Sequence, residues 1–86
     1  MSATERRLGF VGIIVEDRNR ASEAVNRVLS EHGAVIVARL GVPHRERGYS
    51  VISVVVDATT DEIGERTGQL GMIESVSVRS ALAKAR

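Results

Sequence analysis

The stretch Leu8-Gly9-Phe10-Val11-Gly12-Ile13-Ile14-Val15 decides how this chain reads. It is short, apolar and rich in β-branched residues, the signature of a strand. Side chains alternate across a strand. Leu8, Phe10, Gly12 and Ile14 therefore point one way, and Gly9, Val11, Ile13 and Val15 the other. Both sets are apolar, whereas a sheet with one solvated face alternates apolar and polar residues. A second stretch, residues 49–57, repeats the pattern: Ile52, Val54 and Val56 alternate with Val51, Ser53 and Val55.

Around these two strands the remaining elements fall into order. Glu16-Asp17-Arg18-Asn19 ends the first strand, and Asp17 or Asn19 is placed to cap a helix. In that helix Ala21, Ala24, Val25, Val28, Leu29 and His32 recur at helical spacing and form one buried stripe. Gly33 sits where a left-handed stop belongs. Residues 34–40 read as a second strand, residues 41–48 as a polar turn holding the single proline, and residues 49–57 as a third strand, so a hairpin is expected. Thr59 with Glu62 fits a capping box. The second helix turns Ile63, Thr67 and Leu70 inward, with Gly71 as its stop. Residues 73–79 read as a fourth strand and residues 80–86 as a tail with helical character.

The order β-α-β-β-α-β predicts an α+β, ferredoxin-like plait: four antiparallel strands with two helices on one face. One domain spans residues 1–86, with its core in 8–79 and tails at 1–7 and 80–86. Only one apolar set of the sheet can meet the helices. The other is left bare in a single copy, and monomers rarely expose large apolar patches. A homo-oligomer, dimer at least, is expected.

Composition narrows the function. The chain has 86 residues, of which 43% are hydrophobic and 27% charged, a globular ratio. It has no Cys, which excludes a disulfide scaffold, thiolate metal sites and Cys nucleophiles. Twelve basic residues against eleven acidic ones give a net charge of +1, too balanced for nucleic-acid binding by charge alone. Eleven of the twelve are Arg. Phe10 and Tyr49 are the only aromatics. No apolar run approaches the ~20 residues of a membrane span, and no signal-peptide pattern opens the chain. A cytoplasmic location is expected.

The candidate effector-binding or interface residues are Asp17, Arg39, Gly41, Pro43, His44, Arg45, Gly64, Gly68 and Gly71. Arg39, Arg45 and Arg47 flank one turn and either take an anion or form a solvated hairpin end with Glu46. Asp17 lines the first strand-to-helix turn, where it also serves as a cap. Gly64, Gly68 and Gly71 share one side of the second helix. A glycine inside a helix costs about 1 kcal/mol against Ala, so a ligand, a neighbouring subunit or tight packing on the sheet should compensate. The phosphate-loop ending Gly-Lys-Ser/Thr is missing there. His32 and His44 do not make the converging set a metal needs, and no cofactor is expected. The sequence holds no nucleophile–base pair and no carboxylate pair placed for acid–base work, so an enzyme is not expected.

Several pieces agree in order and spacing: Val15-Glu16-Asp17-Arg18; Ala24-Val25-Asn26 with Leu29; Arg39-Leu40-Gly41-Val42-Pro43 with Arg45-Glu46; Thr60-Asp61-Glu62-Ile63-Gly64; and Gly68-Gln69-Leu70-Gly71. Over residues 8–79 the chain resembles the small stand-alone iron-only hydrogenase system regulators. The resemblance implies an ACT-like, ferredoxin-like fold, similarity to the C-terminal domain of the nickel-responsive repressor, dimers or tetramers, and a role in transcriptional regulation. Two features of that background do not carry over. Nickel ligation through His and Cys has no counterpart in a chain without Cys. The turn Asp17-Arg18-Asn19-Arg20 lacks the glycine usual in amino-acid-binding ACT domains. Seven residues before the first strand are too few for a DNA-reading helical unit, so control of transcription is expected to run through a regulatory protein partner or through another surface of the chain. The resemblance thus implies an ACT-like regulatory module that oligomerises and takes a small-molecule effector at a subunit interface, with residues 41–47 and 64–71 nearby. The alternatives are a nucleic-acid binder using Arg6, Arg7, Arg39, Arg45 and Arg47, and a purely structural interaction protein.

Overall fold

Strand propensity and hairpin pairing build the sheet first. The computed structural model describes residues 5–31 and 33–84. His32, at the end of the predicted stripe, lies outside the described residues, as do positions 1–4 and 85–86 of the tails. The elements are β1 (Arg7–Val15), α1 (Arg18–Glu31), a 3-10 turn (Gly33–Val35), β2 (Ile36–His44), β3 (Tyr49–Ala58), α2 (Thr60–Gly71) and β4 (Val76–Leu82). The four strands form one antiparallel sheet in the order β2-β3-β1-β4. This is the expected plait. α1 crosses β3 to join β1 to β2, and α2 crosses β1 to join β3 to β4.

The helices meet the sheet through matched stripes. Val11, Ile13 and Val15 of β1 and Ile52, Val54 and Val56 of β3 are buried under Ala21, Val25 and Leu29 of α1 and Ile63 and Leu70 of α2. Ala24 and Val28 are half-buried at the margin of the stripe. Asp17, not Asn19, caps α1: its Oδ1 accepts from the Arg20 N–H at 3.3 Å. The capping box at α2 is complete. Thr59 Oγ1 accepts from the Glu62 N–H at 3.1 Å, and Glu62 Oε1 accepts from the Thr59 N–H at 2.9 Å.

Four local expectations are corrected. β2 runs on to His44, and the predicted loop 41–48 contracts to a turn over residues 45–48. Gly41, Val42, Pro43 and His44 pair with Ile52, Val51, Ser50 and Tyr49. Pro43 is tolerated because β2 is an edge strand, where a missing N–H breaks no ladder. Gly33 opens the 3-10 turn rather than a left-handed stop; the glycine with positive φ is Gly48 (φ 70°), where the hairpin turn closes. Gly71 does not stop α2, whose C-cap is Met72 in the right-handed region. The left-handed residue comes later, at Ser75 (φ 67°). That turn delays β4 to Val76 and carries it through Leu82, in place of a helical tail. Gly9 makes the pairing with Leu82 feasible, because a Cβ there would run into the Ala81 carbonyl oxygen and the Leu82 backbone.

Candidate functional site

The predicted site residues divide between two clefts, an open sheet face and one helix surface. The first cleft lies between α1 and the hairpin. Alternation along β2 brings Arg39, Gly41 and Pro43 to the helix-facing side, opposite Val54, Ile52 and Ser50. Gly41 leaves open space beside Ile52, and a Cβ there would be in ordinary contact at 3.9 Å. The resulting cleft of about 200 Å³ is also lined by Val15, Ser22 and Asn26. Arg39 Nη2 donates to Asn26 Oδ1 at 3.0 Å. None of the four ion pairs among the described residues includes Arg39. A guanidinium held by a neutral amide suits a carboxylate or another small anion; of the two hydroxyls beside it, that of Ser22 already donates to the Arg18 carbonyl oxygen.

Asp17 lies elsewhere, in a cleft of about 190 Å³ formed with Arg20, Ala21, Ile73, Glu74 and Ser75. Its carboxylate already serves the α1 cap. Arg20 and Glu74 approach to 3.9 Å across exposed surface. The Ser75 Oγ is buried without a hydrogen-bond partner among the described residues. Arg45 is exposed in the hairpin turn, and His44 stands opposite Tyr49 at the end of β2.

Gly64, Gly68 and Gly71 are exposed, and a Cβ on any of them would meet, beyond its chain neighbours and the backbone of its own helix, no atom of the described residues within 4 Å. Packing on the chain's own sheet therefore does not account for them. Within one chain they are also remote in topology from residues 41–47, since β2 is at one edge of the sheet and α2 crosses to β4 at the other.

Ser22, Asn26 and Ser50 were not singled out from the sequence. The available signal was the i, i+4 spacing of Ser22 and Asn26 flanking the Ala21-Val25-Leu29 stripe. Nothing in one dimension ties that flank to Ser50. Among the described residues no three His, Cys, Asp or Glu side chains gather to hold a metal ion, and no helix is long and apolar enough to cross a membrane.

The sheet surface away from the helices carries Leu8, Phe10, Ile14, Leu40, Val42, Val51 and Val55, all exposed. The register places Phe10 beside Val55, Ile14 beside Val51, and Val42 beside Val51 on its other side. The second apolar set read from the sequence is thus a continuous bare surface.

The TM1266-like family model, described as "Iron-only hydrogenase system regulator, putative", matches residues 7–80. The structure is similar to that of the uncharacterized protein TM1266 from Thermotoga maritima, with a TM-score of 0.88 and 36% identity over 93% of this chain and 100% of that one. It is also similar to the ACT domain from the GTP pyrophosphokinase of Chlorobium tepidum (TM-score 0.74, 18% identity, 88% of this chain and 99% of that one). A formyltetrahydrofolate deformylase from Pseudomonas putida KT2440 shares the fold at a TM-score of 0.66 and 17% identity, over 92% of this chain and 30% of that enzyme. No curated protein matches the sequence.

Proposed function

Because the chain belongs to the TM1266-like family of iron-only hydrogenase system regulators, we propose that it is a stand-alone ACT-like regulatory module that self-associates through its open sheet face. The observation that carries this reading is the set of exposed Leu, Phe, Ile and Val side chains that face carries on β1, β2 and β3. An aqueous surface of that kind is unfavourable until another surface covers it. The module takes a small anionic effector in the cleft of Arg39, Asn26, Ser22 and Ser50, and passes the signal to a regulatory protein partner that acts on transcription.

Sedimentation velocity and thermal shift test the two halves separately. The wild-type chain is expected to sediment as a dimer or larger at micromolar concentration, and a monomer there removes the self-association half. A panel of amino acids, dicarboxylates and nucleotides is expected to include at least one anion that raises Tm. Arg39→Ala should abolish that rise. A panel without effect removes the effector half.

A further inference from the structure

The open face is patterned by size as well as by polarity. Across the middle of the sheet run two adjacent rows. One is Ala38, Val55, Phe10 and Ala81; the next is Leu40, Ser53, Gly12 and Arg79. Taken strand by strand, each pair joins one small and one large residue: Ala38 with Leu40 on β2, Ser53 with Val55 on β3, Gly12 with Phe10 on β1, Ala81 with Arg79 on β4. Phe10, Val55 and Leu40 stand 53%, 44% and 66% exposed. Beside them a shallow trough of about 380 Å³ is floored by Gly12 and bounded by Ile14, Val51, Ser77 and Arg79. Among the described residues, and apart from its chain neighbours, a Cβ on Gly12 would meet the Arg79 carbonyl oxygen alone, at 3.9 Å.

We propose that the occupant of this face is a second copy of the same chain, related by a two-fold axis lying in the interface and running across the strands between those two rows. The proposal rests on the self-association reading and specifies its register. Such an axis lays each strand antiparallel over its own copy, so every residue of one row faces the residue of the other row on the same strand. Phe10 enters the trough over the partner's Gly12, Val55 faces the partner's Ser53, and Leu40 faces the partner's Ala38. Ile14 meets the partner's Leu8, and at the same margin Val51 meets the partner's Asp57. An isologous contact requires this self-complementarity of one patch. Aligned sheets cross at about −30°, so the outer strands drift while β1 and β3, at the centre of the sheet, stay in register. Those two carry the Phe–Gly and Val–Ser pairs. An axis one row further along would set Gly12 against Ile14, but it would carry Phe10 past the strand to Glu16 and leave the largest apolar side chain of the face without an apolar partner. An aromatic ring seated in a pocket at the centre of an interface is the common anchor of association.

The test is a size swap on the full chain, read by sedimentation velocity. Gly12→Phe sets two rings against each other and is expected to weaken the dimer at least tenfold. Phe10→Ala empties the trough and should weaken it about tenfold. The double variant Phe10→Ala with Gly12→Phe restores large against small, and is expected to associate at least tenfold more tightly than Gly12→Phe alone. Ser53→Leu, which fills the neighbouring hollow, provides an independent probe should Gly12→Phe fail to fold, and should weaken the dimer severalfold. Circular dichroism at dilutions where all variants are monomeric checks the fold. A wild-type dimer that ignores Gly12→Phe and Ser53→Leu overturns the proposed register and leaves self-association standing. A double variant no tighter than Gly12→Phe also overturns it. A wild-type monomer overturns both readings.

Discussion

The two faces of this sheet are built from the same strands and nearly the same hydrophobicity, yet they differ in kind. On β1, Val11, Ile13 and Val15 are 4%, 0% and 1% exposed, while Phe10 and Ile14, one residue away on the other face, are 53% and 42% exposed. The middle of the helix-facing set of β1 and β3 is uniform: Val11, Ile13, Val15, Ile52, Val54 and Val56 are all β-branched and similar in size, and Gly9, Ser50 and Ala58 stand only towards its ends. Such a set makes an even floor on which the stripes of two helices can settle. The open set mixes Phe, Leu, Val, Ile, Ala, Ser and Gly, and makes relief instead. Evenness suits packing against a different kind of element, and relief suits interlocking with another patterned surface. Polarity alone would have treated the two faces as equivalent.

The widest separation between the faces should appear in stability. Ile13→Ala empties a fully buried site at the middle of the core and is expected to cost about 2–5 kcal/mol. Ile14→Ala, on the open face, should cost the isolated chain no more than about 0.5 kcal/mol, with its larger effect on association. Urea denaturation at a concentration below that of assembly measures both. Equal losses would break the comparison, because the open face would then be part of the monomer's own core. Next in size is Gly9→Ala. A Cβ there meets the backbone of residues 81 and 82 rather than a movable side-chain end alone, and displacing β4 is expected to cost about 1–3 kcal/mol. The same denaturation series reads it, and no loss would mean that the β1–β4 pairing yields more easily than its register implies.

These contrasts bear on what could be read in one dimension. Periodicity was enough to divide β1 and β3 into two faces, because alternation is a local property. The assignment of the Val11-Ile13-Val15 set to the helices was not legible, since both sets are apolar and the choice is made by tertiary fit. The capping box was legible because Thr59 and Glu62 are three residues apart and need no distant partner. β2 was mistaken for a shorter strand because Gly41 and Pro43 signal a turn locally, and only its edge position makes them acceptable. The start of β4 was misplaced for a related reason: the left-handed turn falls on Ser75, a residue that does not advertise it as glycine would. For the candidate site, Arg39, Gly41 and Pro43 read together in the sequence as parts of one turn, and they share a strand face only because β2 runs on to His44. Ser22, Asn26 and Ser50 join them only when α1 crosses β3, a contact absent from any local pattern.

The smallest expected effect lies at the α2 start and separates the covered half of the molecule from the open face by chemistry. Thr59→Ala removes one half of the capping box and should cost about 1 kcal/mol. Glu62 supplies the other half. Its carboxylate is held below the usual value of 4.5 chiefly by the Thr59 backbone N–H, and further by the charge of Arg6, the Thr59 hydroxyl and the charge of Arg66, against an opposing effect of burial. A carboxylate whose pKa is lower in the folded chain than in the unfolded one binds fewer protons when folded. Its stabilising contribution is therefore complete above about pH 4.5 and is lost as pH falls through the lowered folded value. Thermal denaturation from pH 6 down into that range should show the wild type losing more Tm than Glu62→Gln, which has no proton to take up there. The proposed association through the open face is apolar at its centre: the Phe10–Gly12 and Val55–Ser53 pairs hold no titratable group, and Asp57 at the margin of that face is common to the wild type and Glu62→Gln. The Glu62-dependent loss should therefore be the same for an assembled sample and a dilute one. A loss that grows with concentration would couple the α2 cap to the open face, and the two halves of the sheet would no longer be energetically separate.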